Sequence, residues 1–200
     1  FDFLNLPSNA RTAALGGVVL SVNDRDLNMA FQNPAVLNSE MDNQVTLSYI
    51  PYIADIKYGY AAYAREFKKA GMFSGGIQFV NYGKFEEADV TGAITGSFTA
   101  ADYSFNIGYA YKLDSMFAVG ATLKTIYSHL EDYTSVGMAV DLAANYYNPK
   151  NQFCMSLVAR NAGYQLKTYV NNNHEPLPFE LMFGISKKLS KAPFRFGLNI

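Results

Sequence analysis

From Val45 onward, apolar and polar residues alternate with a period of two, the pattern of extended strands whose successive side chains face opposite ways. The pattern predicts nine strands, at roughly 44–50, 56–66, 72–88, 93–113, 116–130, 134–148, 152–169, 178–189 and 193–200. In the fourth, Tyr103, Phe105, Ile107, Tyr109 and Tyr111 share one face, while Ser104, Asn106, Gly108 and Ala110 share the other. The fifth sets Phe117, Val119, Ala121, Leu123 and Tyr127 against Ala118, Gly120, Thr122 and Lys124. Val136, Met138, Val140 and Leu142 oppose Gly137, Ala139, Asp141 and Ala143, and the last run sets Phe194, Phe196 and Leu198 against Arg195, Gly197 and Asn199. One face is bulky and apolar; the other is small, weakly polar and carries few charges. A half-solvated soluble sheet would hide its large residues and give Lys and Glu to water. The pattern instead fits an all-β, antiparallel membrane barrel, with its bulky face toward lipid and a narrow polar lumen.

Residues 1–43 are different and are expected to form a separate N-terminal segment before barrel strands at 44–200. Ala10-Arg11-Thr12-Ala13-Ala14-Leu15-Gly16-Gly17 suggests a short helix or compact turn in a tight space. Asn23-Asp24-Arg25-Asp26 reads as a polar turn, and Leu27 to Leu37 as a short helix interrupted at Asn33-Pro34. The connections at 67–71, 113–115, 148–151 and 189–192 are short. Those at 89–92, 131–133 and 170–178 are longer or cap long strands, as external loops do. On this count the N-terminal segment lies at the short-turn, periplasmic end. Single-chain bacterial barrels normally have an even number of strands, and Ile200 falls inside an alternating run, so the barrel is expected to be incomplete at Ile200 and to close beyond it.

Composition narrows the class further. No stretch of about 18 apolar residues is available for a helical span. There are 15 Tyr, 15 Phe and no Trp, and charged residues make up 16%, against about 25% in soluble domains. A net charge of −1 gives no basic footprint for nucleic acid. The single cysteine, Cys154, excludes an internal disulfide framework.

Catalytic and metal chemistry find little support. His129, Glu131 and Asp132 sit near an expected hairpin tip, and His174-Glu175 follows Asn171-Asn172-Asn173 in a polar loop; neither makes a transition-metal set. No nucleophile elbow is present, Cys154 reads as a packed small residue, and Glu86-Glu87 are neighbours pointing to opposite faces. The chain is therefore expected to be no enzyme and to hold neither metal nor cofactor. Lys57, Lys124, Asp141, Arg160, Glu180 and Arg195 are assigned to the small-residue face, where buried charges need partners. With a two-residue tip at Asp132-Tyr133, Lys124 falls directly opposite Asp141 as a structural lumen pair.

Several motifs carry a resemblance. Phe3-Leu4-Asn5-Leu6-Pro7, Ala10 to Gly17, Phe31-Gln32-Asn33-Pro34-Ala35-Val36-Leu37, Ile53 to Gly59, Val80 to Phe85 and Glu175 to Glu180 together resemble the PorQ family of outer-membrane proteins of the Bacteroidetes type IX secretion system. The opening also resembles the wider PorV and FadL-like barrels. The resemblance implies a fourteen-stranded outer-membrane barrel with an N-terminal segment in or under its lumen. It also implies a non-enzymatic role: holding the surface protein PorZ in an attachment complex with PorU and PorV, within the lipid bilayer. An importer of hydrophobic molecules, as in FadL-like barrels, is the alternative, and a soluble lipocalin-like protein a third. Candidate partner contacts fall on the outer loops, at Asp89, Thr91, Glu131, Asp132, Tyr133, Asn172 and His174.

Overall fold

The computed structural model describes residues 1–68, 70–170 and 174–200. Nine antiparallel strands form one sheet in chain order: β1 (Gln44–Pro51), β2 (Lys57–Phe67), β3 (Gly71–Ala88), β4 (Ile94–Lys112), β5 (Phe117–Leu130), β6 (Tyr133–Asn148), β7 (Phe153–Lys167), β8 (Glu180–Lys188) and β9 (Arg195–Asn199). Each strand pairs with its neighbours in sequence, so every link is a hairpin. The sheet is not closed; β1 and β9 are its edges. No helix is long and apolar enough to cross a membrane among the described residues.

The two faces differ as the alternation requires. Leu47, Phe105, Ile107, Leu157, Leu181 and Phe196 stand on the outer face with half or more of their surface exposed. Ser104, Asn106, Thr122, Lys124, Asp141 and Arg160 are buried on the inner face. An exposed apolar face of this extent exceeds the few hundred Å² that soluble monomers tolerate.

What buries the inner face is the N-terminal segment. It comprises helix α1 (Ala10–Ala14) and four 3₁₀ turns, at Asp2–Asn5, Leu27–Phe31, Pro34–Val36 and Ser39–Met41. Four of these five short elements begin at Asn9, Asp26, Asn33 or Asn38, whose side chains accept a backbone N–H one turn in. Such local caps hold turns too short to persist alone. Leu27, Phe31, Leu37 and Met41 pack on Tyr60, Ala62, Ala64, Met72 and Ala110; Phe3 and Leu4 pack on Tyr58, Val80, Ile126, Ala139 and Leu177; Leu20 and Ala35 pack on Ala143, Val158 and Met182.

This path corrects the expected placement at the short-turn end. Phe3 and Leu4 lie toward the end bearing the 52–56, 89–93, 131–132 and 168–179 connections, where Phe1 stacks on Tyr169. Pro34 to Met41 lie at the opposite end, against Gly120 and near Glu66. The segment crosses the whole inner face. The connections at the end near Phe3 and Leu4 are longer or cap long strands: 168–179 is long, and Asp89 to Ala93 is a tight turn atop the 18- and 19-residue strands β3 and β4.

One face assignment and one register change. Lys57 is exposed on the outer face, because the inner face of β2 is set by Tyr58, Tyr60, Ala62 and Ala64. The inner face is thus not uniformly small; two tyrosine rings fill space left by the segment. The β5–β6 tip is Glu131-Asp132, with Glu131 at φ 55° and Leu130 paired to Tyr133. Lys124 therefore pairs across the ladder with Ala139 and Asp141 with Thr122, two residues out of the expected register.

Gly120 shows how closely segment and wall approach. A Cβ there would sit 2.4 Å from the carbonyl carbon of Pro34 and 2.5 Å from the nitrogen of Ala35, both backbone. Gly120→Ala is expected to destabilise the fold by about 1–3 kcal/mol through overpacking, read as a lower thermal midpoint. Gly75→Ala, in open space, should leave it unchanged or raised. Equal effects from both would show that the segment does not rest on the wall at Gly120.

Candidate functional site

Inside the sheet, a charged network joins the wall to the N-terminal segment. Lys124 Nζ lies 2.7 Å from Asp141 Oδ2, and both side chains are fully buried. With Lys124 facing Ala139, the contact is a diagonal between β5 and β6. Asp141 Oδ1 accepts the backbone N–H of Asn161, and Lys124 Nζ donates to Asn161 Oδ1, both at 2.8 Å. Asp141 Oδ2 has no aligned hydrogen-bond donor, so its contact with Lys124 is one of charge. Lys124 also lies 5.8 Å from the ring centre of Phe31 in the segment, within cation–π range.

Asn161 is the hub, and a β-bulge puts it there. It has φ 54°, and the β6–β7 register shifts between Val140 and Leu142. Before it Leu157 stands on the outer face; after it Tyr164 and Leu166 do, so the parity flips. An extra residue lets Arg160 and Asn161 both be buried. Asn161 Nδ2 donates to Asn5 Oδ1 and to the Pro178 carbonyl, each at 3.0 Å. Arg160 donates to the Leu4 carbonyl at 3.1 Å and lies 3.8 Å from Glu180, whose other oxygen accepts from Asn5 at 3.0 Å. Gln78 donates to the Phe3 carbonyl, Ser156 to the Leu20 carbonyl, Ser186 to the Ser21 carbonyl and Asn199 to the Val18 carbonyl. The inner polar residues are thus the hydrogen-bond partners that irregular buried backbone requires.

Outside the sheet, Arg11 clips α1 to the next turn through Asp24 at 2.6 Å and Asp26 at 2.7 Å. The hydrogen bond to Asp24 holds the guanidinium pKa above its ordinary value against burial. Burial pushes the Asp26 carboxyl up, but hydrogen bonds from Arg11 and Asn28 outweigh it and hold it below the usual carboxylate range.

The loop positions singled out in the sequence have varied settings. Asp89 and Thr91 are exposed but bonded to each other: Asp89 accepts from the Thr91 N–H and hydroxyl and from the Ala93 N–H, which lowers its pKa. Val90 projects fully from that turn. Glu131 and Asp132 form the exposed β5–β6 tip, and the exposed Tyr133 opens β6 beside it. His174 is exposed, and Asn172 lies outside the described residues. Beyond His174 the chain turns inward: Glu175 donates its N–H to Gln165, and Leu177 is buried on Phe3 and Leu4. His129 belongs to β5 rather than to the tip and is only half-exposed. Cys154 is buried on the inner face against Asn145. Among the described residues no group of His, Cys, Asp and Glu could hold a metal ion. Arg195 reaches Ser186 from β9.

Sequence reasoning missed Asn161 and Asn5 as network members, and missed the inner pair Asp102 and Ser128. A signal for Asn161 exists in the flip of alternation between Ala159 and Tyr164. Asn5 and Asp102 lack one, because their partners lie far along the chain. No protein family and no curated protein matches this chain.

Removing one member of the Lys124–Asp141 pair should be far worse than removing both. Lys124→Met or Asp141→Ala alone leaves an uncompensated buried charge, about 3–5 kcal/mol, and the double variant should recover much of it. Strictly additive midpoints would show that the two do not interact. Near the surface, Asp26 contributes stability that is present above the unfolded carboxylate pKa of about 3.9 and is lost as pH falls through its lower folded value. Asp26→Asn should therefore flatten part of the acid limb of the stability–pH curve; an unchanged limb would show that the Arg11 clip does not contribute.

Proposed function

We propose that this sheet is wall of a bacterial outer-membrane β-barrel that acts as an anchor without catalysis, in the manner of the PorQ family, holding a surface partner of the PorZ kind in the type IX attachment complex with PorU and PorV. The observation that carries the membrane reading is the continuous outer face of exposed Leu, Ile, Val, Phe and Tyr on nine meandering strands. The apolar face can be buried in lipid only if backbone groups are paired within the sheet, which the hairpin-linked strands provide everywhere but along the free edges of β1 and β9. The anchor reading is supported by the inner face. Its polar and charged groups are spent on the N-terminal segment, whereas an importer of hydrophobic molecules would offer an apolar pocket with a few placed polar groups. The opening motifs that resemble PorQ, around Leu4-Asn5-Leu6-Pro7 and Asn33-Pro34-Ala35, are the same residues that touch the wall. Contacts with a partner then fall to the loop end, through Val90, the Glu131-Asp132 tip and Tyr133.

Two measurements test the two layers of this reading. Nitroxides at 105 and 107 in native membranes are expected to be accessible to dissolved oxygen and shielded from a water-soluble nickel chelate, while 104 and 106 are shielded from both. Nickel access at 105 and 107 would remove the barrel reading. Deleting the gene should release PorZ from the cell surface and leave secreted cargo unanchored, with fatty-acid uptake unchanged. Retention of PorZ with collapsed uptake would replace the anchor by an importer.

A further inference from the structure

At the loop end of the inner face, a cavity of about 350 Å³ is lined by Tyr82, Phe85, Phe98, Asp102, Ser128 and Tyr169. A bulge in β3 builds it. The β3–β4 register shifts between Asn81 and Lys84, with Gly83 at φ 82°, so Tyr82 and Phe85 come to share the cavity. Phe85 stacks on Phe98 at 5.2 Å and 20°. Asp102 is among the residues that line it. Tyr82 donates to its Oδ2 at 2.7 Å, Ser128 donates to its Oδ1, and Tyr169 donates to Ser128 in turn. These bonds fix the carboxylate without neutralising it. Each oxygen keeps a free lone pair, and no Lys or Arg pairs with Asp102 among the described residues. The loops and strand ends at this end of the sheet add charge of the same sign: Asp55, Glu86, Glu87, Asp89, Glu131 and Asp132, against Lys57, Lys84 and Lys167.

We propose that this cavity binds an organic cation, an ammonium or guanidinium head whose charge meets Asp102 and whose apolar stem meets Tyr82, Phe85, Phe98 and Tyr169. Aromatic faces attract cations through their quadrupole, most strongly when solvent is excluded. A half-buried carboxylate without a counter-charge supplies the remaining attraction, and the acidic loops raise the local concentration of cations. A neutral sugar would use the rings and hydroxyls but would leave the carboxylate uncompensated. Inorganic cations would use the carboxylate but not the rings. The cation can come from a free small molecule or from a Lys or Arg side chain. The proposal rests on the cavity alone and not on the anchor reading, so each can fail without the other.

The test is calorimetric titration of the whole chain in detergent micelles at pH 8. Nα-acetyl-lysine methylamide and tetramethylammonium are the cationic probes, and the Nε-acetylated lysine amide and maltose the neutral ones. At least one cation should bind saturably, with the neutral probes at least tenfold weaker. Preference for the lysine amide assigns the site to a side chain, and preference for tetramethylammonium to a small quaternary amine. Asp102→Asn should weaken cation binding at least tenfold. Should that variant fail to fold, Phe85→Leu, on an exposed ring, should weaken it severalfold. Neutral probes binding as well as cations, no saturable binding by either cation, or unchanged affinity in the variants would overturn the proposal.

Discussion

The structure depends on one constraint: an irregular N-terminal segment lies across the inner face of a sheet, and its backbone must find partners there. A sheet satisfies its own N–H and C=O groups; a chain of short turns does not. The carbonyls of Phe3, Leu4, Val18, Leu20 and Ser21 are therefore met by Gln78, Arg160, Asn199, Ser156 and Ser186 of the wall. This explains why the inner face is polar yet nearly dry. It also explains its small residues: at Gly120 the backbone of Pro34 and Ala35 occupies the space of a side chain.

The buried charges follow from the same constraint. Arg160 supplies a donor to a segment carbonyl, and its charge then needs Glu180 nearby. Lys124 reaches Asn161 and approaches Phe31, and its charge needs Asp141. Lys124, Asp141 and Arg160 are thus buried together, with Glu180 partly exposed beside them, and leaving a buried member alone would be costly. Apolar residues could fill the volume but could not hold the turn at Leu4-Asn5. The network is better understood as fixing where the segment lies than as a source of net stability.

Much of the fold was legible in the sequence because the sheet is built from local links. Alternation sets the faces and hairpins set the order, so all nine strands fall within a few residues of their predicted bounds. What failed were the places where one residue changes the count. Moving the β5–β6 tip from Asp132-Tyr133 to Glu131-Asp132 shifts the partner of Lys124 to Ala139. The Lys124–Asp141 contact survives because long side chains reach diagonally across a pair of strands. Lys57 departs from its expected face because in β2 the large Tyr58 and Tyr60 point inward, against the size difference that marks the other strands. The path of the segment was legible only through the resemblance, which implies a place in or under the lumen; its individual contacts were not, since they join residues far apart, such as Asn5 with Asn161.

Two of the wall's register shifts, at Asn161 and at Gly83, carry structure that alternation does not encode, and each makes a polar feature inside a regular wall. At Asn161 the added residue turns two consecutive polar side chains inward, and the wall can then grip Leu4 and Asn5 from one strand. At Gly83 the shift brings Tyr82 and Phe85 to a common side at the mouth, over Asp102. The first site is turned on the chain itself: most of its donors and acceptors meet one another and the segment. The second keeps a carboxylate without a cation beside open aromatic surface. A regular ladder would have left neither, because strict alternation sends every second residue to the outer face. The places where the period of two breaks are therefore where this wall departs from a barrier and acquires specific chemistry, one spent on holding its own chain and one left facing outward.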